Sequence, residues 1–197
     1  MKLFRMLLLV GTPIIIGAFC IKPVYGNESI YQLHHLANQG NTDAQYNLGL
    51  MYYTGKEVPK DQSAAAYWFQ KAAEKGCVDA AFNIGVLYEQ GDGVKKNVNE
   101  AIKWYEMAAN QNHDKAQFNL GHLFFDGYGV QRDEKKGFEW FQKAAELGNS
   151  QAQYRIACAY FEGKGTGKNG VKGMEWLNKA ATNGNPDAIS LLAIINK

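Results

Sequence analysis

The chain has 197 residues, 46% of them hydrophobic and 20% charged, with 21 basic against 19 acidic side chains. That length and apolar content suffice to bury a core, which excludes global disorder and makes one domain the starting expectation. A nearly balanced charge without a run of one sign gives no footprint for nucleic acid or for an anionic membrane surface.

Lys2 and Arg5 precede an uncharged apolar run from Met6 to Ile21, and Lys22 and the residues around Val24-Tyr25-Gly26 follow it. This order predicts a secretory signal peptide over residues 1–26. The run is shorter than the roughly 20 residues that a spanning helix needs, and Pro13 interrupts it. A lipid anchor on Cys20 would want a small residue before it, where bulky Phe19 stands. Cleavage would remove Lys2, Arg5 and Lys22, leaving 18 basic against 19 acidic residues and a net charge of about −1. The expectation is therefore an exported chain, periplasmic or secreted, with no stable membrane insertion once the signal is removed.

From there a step of 36 residues governs the sequence: it links Ala44, Ala80, Ala116, Ala152 and Ala188, and also Trp68, Trp104, Trp140 and Trp176. The same step links Gly55, Gly91, Gly127 and Gly163, and the Ala-Ala pairs that begin at Ala72, Ala108, Ala144 and Ala180. Each unit reads as two helices, the first represented by residues 43–54 and the second by 62–75, each with apolar or small residues spaced for one buried face. The loop between them is rich in glycine, which supplies positive φ. Asp61, Asn97, Asp133 and Asn169 then stand where a short side-chain oxygen caps the second helix, and Asn97 with Glu100 has capping-box spacing. Gly40, Gly76, Asn112, Gly148 and Gly184 occupy the phase that ends a second helix in the left-handed conformation.

The predicted organisation is an N-terminal capping helix within 27–41, four repeats at 42–77, 78–113, 114–149 and 150–185, and a C-terminal capping helix within 186–197. One helix pair cannot bury its apolar stripe alone, so the units must stack into an all-α solenoid whose stability comes from neighbour contacts.

The run Ala44-Gln45-Tyr46-Asn47-Leu48-Gly49, continued by Tyr52, Gly55, Val58, Asp61, Trp68, Ala72-Ala73 and Gly76, resembles the Sel1-like repeat, a longer relative of the tetratricopeptide repeat. The fourth copy departs from it at Ala157, in place of the glycine of Gly49, Gly85 and Gly121, and at Thr166, in place of the valine of Val58, Val94 and Val130. The resemblance implies an adaptor that serves in signalling, secretion, host contact or toxin neutralisation. It also implies, through relatives described as β-lactamases, the alternative of a cell-wall or β-lactam hydrolase.

By analogy with tetratricopeptide units the first helices line the concave side. There Tyr46, Phe82, Phe118 and Tyr154 form one aromatic row, while Tyr53, Phe125 and Phe161 form a second that Glu89 interrupts. Asn47, Asn83, Asn119 and Arg155 share the adjacent phase, and His122 lies among them. Two readings stay open. These rings and amides make a groove for an extended or helical segment of a partner protein, or they pack and bond within and between the repeats.

The hydrolase needs a constellation, and the usual ones are missing: there is no G-x-S-x-G, H-E-x-x-H or C-x-x-C, and no serine has lysine three residues on. Gly163 to Gly170 only mimics a phosphate loop, since the spacing puts Glu162 where glycine is required. His34 and His35 are adjacent and so do not face one site, and His113 and His122 differ in phase, so neither a metal nor a cofactor is expected. Cys77 and Cys158 lie more than two units apart, too far for a disulfide. Cys77 falls at a helix N-terminus, where two readings stand: a reactive or intermolecularly paired thiol, or an inert surface cysteine. The apolar segment Ile189 to Ile195 either closes over the last unit or forms a homodimer contact. The reading as a whole is a protein-binding adaptor or inhibitor and not an enzyme.

Overall fold

The computed structural model describes residues 30–195. The signal peptide expected over 1–26 and the outer ends of both capping segments lie outside the described residues. Ten helices follow one another: α1 (Ile30–Asn38), α2 (Thr42–Thr54), α3 (Gln62–Glu74), α4 (Val78–Gln90), α5 (Val98–Ala109), α6 (Asp114–Asp126), α7 (Glu134–Glu146), α8 (Ser150–Glu162), α9 (Gly170–Thr182) and α10 (Pro186–Ile195). Among the described residues there is no strand, and each helix packs mainly on its neighbours in sequence. This is the all-α solenoid that the 36-residue step demands.

The ends of the helices are fixed by the residues that the repeat keeps in phase. Gly55, Gly91, Gly127 and Gly163 close the first helices in the left-handed conformation, each returning its N–H to a carbonyl of the last turn. Asp61, Asn97, Asp133 and Asn169 accept hydrogen bonds from the opening N–H groups of the second helices. Their own N–H groups donate back to Tyr52, Tyr88, Phe124 and Tyr160 at 2.8–2.9 Å, which ties every loop to the helix before it. The Asn97–Glu100 pair forms only half of a capping box, because the Glu100 carboxylate turns instead to Lys103 at 2.6 Å.

Within each repeat the two helices cross where a small residue meets a large one. A Cβ on Gly49 would lie 2.5 Å from the Phe69 ring, one on Gly85 2.7 Å from Tyr105, and one on Gly121 2.5 Å from Phe141. The fourth repeat breaks this rule on both sides at once: Ala157 replaces the glycine and Leu177 replaces the ring, and both are fully buried. Loss of the flat ring makes room for the added methyl, so the departure at Ala157 is compensated.

Neighbouring repeats are joined through the Ala-Ala pairs, all buried except Ala181, which is partly so, and through a glutamine tie that the sequence reading did not single out. Gln45, Gln117 and Gln153 donate from Nε2 to Ala37 O, Ala109 O and Ala145 O at 2.9–3.0 Å, so α2, α6 and α8 grip the end of the helix before them, while α4 has Ala81 in this phase. At the far end Ala188 is fully buried, and Leu191 and Leu192 pack on the cluster that holds Ala157, Leu177 and Ala180. Ile189, Ile194 and Ile195 of the same helix remain exposed.

Candidate partner-binding face

The first helices α2, α4, α6 and α8 present the positions read as candidates, and neighbours sort those positions into two groups. Tyr46, Phe82, Asn83 and Phe125 are buried. Tyr46 packs on Phe69 at 5.8 Å between ring centroids, and Phe82 stacks on His113 at the end of the same repeat at 4.6 Å. For these four, the alternative of packing within and between repeats describes their surroundings. Asn47, Tyr53, Phe118, Asn119, His122, Tyr154, Arg155 and Phe161 are half-buried and keep surface on the first-helix side.

The half-buried group is held in place by partners at other phases of the repeat. Asp126 is paired with both His122, at 3.3 Å, and Arg155 of the next repeat. The Arg155 guanidinium lies over the rings of Phe125 and Phe141, with centroids 5.5 and 5.3 Å away, and His122 stacks on Tyr128 at 5.0 Å. Burial lowers the pKa of His122, Asp126 opposes that and Arg155 adds to it, so the imidazole is held towards its neutral form. One repeat earlier the Tyr105 hydroxyl donates to Glu89 Oε2 at 2.6 Å and accepts from Asn119. Burial raises the Glu89 carboxyl, with the Tyr105 hydrogen bond and Lys96 pulling the other way. In the fourth repeat the Tyr154 hydroxyl hydrogen-bonds the Cys158 sulfur, and burial raises both groups.

Sequence reasoning missed Asp126, Tyr128 and Tyr105 as partners in this wall. A signal was present, since departures from the repeat come in matched pairs. Tyr105 is the one hydroxyl among Phe69, Phe141 and Leu177, and it occurs in the repeat where Glu89 replaces a ring. Arg155 replaces the asparagine of its phase and meets Asp126, an acid where the first two repeats have Thr54 and Gln90 and the fourth has Glu162.

The other chemistry sorts as follows. Cys77 is buried at the N-cap of α4 and gives no side-chain cap, so of its two readings that of a surface cysteine does not describe it; neither Cys77 nor Cys158 is in a disulfide. A thiol raised by burial, as Cys158 is, is the opposite of an activated nucleophile. His113 serves structure: its Nδ1 caps α6 through Ala116 N–H at 3.1 Å and its Nε2 meets Asp79 at 3.4 Å. Among the described residues no three His, Cys, Asp or Glu side chains gather as metal ligands, and no helix is long and apolar enough to cross a membrane. Trp68 is buried, while Trp104, Trp140 and Trp176 lie half-buried against the core, with lysines over the last two rings at 4.0 and 4.3 Å.

These features define an α-solenoid of helix-pair repeats with a side-chain wall on its first helices and no assembled catalytic group among the described residues. The Sel1 repeat model matches residues 42–77, 78–113, 114–149 and 150–185, and the chain belongs to the Sel1 repeat family. Sel1 repeats generally mediate protein–protein interaction.

Among solved structures the chain is similar to a protective antigen of uropathogenic Escherichia coli with an SLR fold, at 37% identity and a TM-score of 0.81, over 86% of this chain and 36% of that one. It is also similar to a Sel1 repeat protein from Oxalobacter formigenes, at 33% identity and a TM-score of 0.72, over 83% of this chain and 74% of that one. Cysteine rich protein B of Helicobacter pylori shares the fold, at 23% identity and a TM-score of 0.55, over 70% of this chain and 98% of that one. A stretch of 50 residues, 25% of this chain, is 42% identical to the secretory immunoglobulin A-binding protein EsiB of Escherichia coli and spans 10% of that protein. The chain thus spans about a third of the antigen and a tenth of EsiB.

Proposed function

We propose that the chain is an exported adaptor or inhibitor that holds a segment of a partner protein along the concave wall formed by α2, α4, α6 and α8. The observation that carries this reading is the row of half-buried aromatic and polar side chains around Phe118, Asn119, His122, Tyr154 and Arg155. They are held by neighbours in their own repeat (Phe118, His122, Tyr154) or in the preceding one (Asn119, Arg155) while part of their surface stays open. Pre-fixed aromatic and arginine side chains give contact area with little further loss of rotamer freedom on binding, which is what anchors of an interface need. The name of EsiB, which describes binding to an immunoglobulin, supports a protein as the ligand class. Export rests on the signal-peptide pattern of residues 1–26. The near-neutral charge supports neither nucleic acid nor a lipid surface as partner, and no observation favours the hydrolase reading.

The test is capture of partners by the tagged chain from extracts of its native cells. Asn119→Ala with His122→Ala on the wall should cut capture strongly, whereas Gln142→Ala with Lys143→Ala on α7 should leave it intact. Circular dichroism should stay helical in both. Undiminished capture by the wall variant overturns the reading.

A further inference from the structure

The third and second repeats settle the same junction in opposite ways. In the third, Phe125 and Phe141 face the following first helix, and Arg155 from that helix lies over both rings while pairing with Asp126. In the second, the equivalent positions hold Glu89 and Tyr105, and the position equivalent to Arg155 holds Asn119. The repeat that carries the acid therefore lacks the arginine. Glu89 accepts one hydrogen bond from Tyr105, and none of the ion pairs among the described residues includes it. Lys96, in the loop after α4, acts on it through space without pairing.

A half-buried carboxylate with one hydrogen bond and no paired cation is poorly compensated for the hydration it has lost. Its raised pKa is the mark of that deficit. The rings that flank it in its own row, Tyr53 before and Phe125 after, leave an acidic gap in an otherwise aromatic line.

We propose that the Glu89 junction reads a lysine or arginine side chain of the bound partner, set between apolar residues that dock against the neighbouring repeats. This rests on the groove reading above. Successive first helices come within side-chain reach of one another, as Asp126 on α6 and Arg155 on α8 show, which sets a spacing on the order of 10 Å, about three residues of extended chain, so the segment sought has the form apolar-x-x-basic-x-x-apolar. The partner's cation would take at Glu89 the place that Arg155 takes at Asp126.

The probe is an array of synthetic 12-residue peptides with Leu and Phe fixed at the two apolar positions and each amino acid in turn at the central one, incubated with the full chain. Wild type should capture peptides with central Lys or Arg roughly tenfold better than those with Glu or Ala, the size expected of a desolvated charge pair. Glu89→Gln keeps an acceptor for Tyr105 and should lose that selection while still capturing the apolar frame. Glu89→Arg should turn the preference to Asp and Glu, and melting curves would show that both variants stay folded. Capture without basic preference, or a basic preference unchanged in Glu89→Gln, overturns this inference and leaves the groove standing. Failure of the wild type to capture any peptide overturns the groove as a site for segments and this inference with it.

Discussion

At the scale of single residues, the crossing of the two helices in each repeat is decided by one atom. Adding a Cβ to Gly121, which would sit 2.5 Å from the Phe141 ring, should destabilise the fold by roughly 1–3 kcal/mol, the usual cost of overpacking. The Ala157–Leu177 pair shows the remedy, so Phe141→Leu should cost less in the Gly121→Ala background than in the wild type. Chemical denaturation of the four proteins of that double-mutant cycle measures the coupling, and strict additivity would contradict the packing argument. His122 gives a second test at this scale. Burial holds its folded pKa below the ordinary 6.5 of an imidazole, so the unfolded chain binds more protons. Its contribution to stability is full above pH 6.5 and is lost as pH falls through the lowered value. Replacing His122 with Gln should flatten this part of the acid loss of stability, and melting temperatures between pH 7.5 and 5 check it.

At the scale of the helix and the loop, the caps were legible because each is a local event: a short side chain, the N–H groups two and three residues on, and a glycine where φ turns positive. Asp133 is exposed and caps α7 through Lys136 N–H at 2.9 Å, so Asp133→Ala should cost about 1 kcal/mol, read from the midpoint of urea unfolding. The links between elements were less legible. Nothing near Gln153 in sequence announces that its amide donates to Ala145 O and accepts from Asn183, 30 residues on. For the same reason the phase gave the face of a residue but not its depth. Tyr46 and Phe118 share a phase and each packs on the ring of its own second helix, yet Tyr46 is fully buried and Phe118 is half-buried. The Asp126–Arg155 pair is the plainest case, since neither residue points to the other in sequence until the two helices stand side by side.

At the scale of the whole molecule, stability is a chain of neighbour contacts, so damage at one end should stay there. Deleting α10 would expose Ala157, Leu177 and Ala180, and amide exchange should then quicken in α8 and α9 well before α2 and α3. Uniform acceleration along the chain would mean that the solenoid unfolds as one unit. Because Leu191 and Leu192 turn onto the fourth repeat, sedimentation of the intact chain should show a monomer, and a dimer lost with α10 would assign the exposed Ile194 and Ile195 to self-association. On the proposed reading the partner lies along the first helices, where half-buried side chains form a wall, and not along the second helices. A photo-crosslinking amino acid at position 119 on α6, compared with one at 142 on α7, in chains expressed in their native cells, tests that placement directly. The account predicts a crosslinked partner polypeptide from position 119 and none from 142. Crosslinks from 142 alone would contradict it.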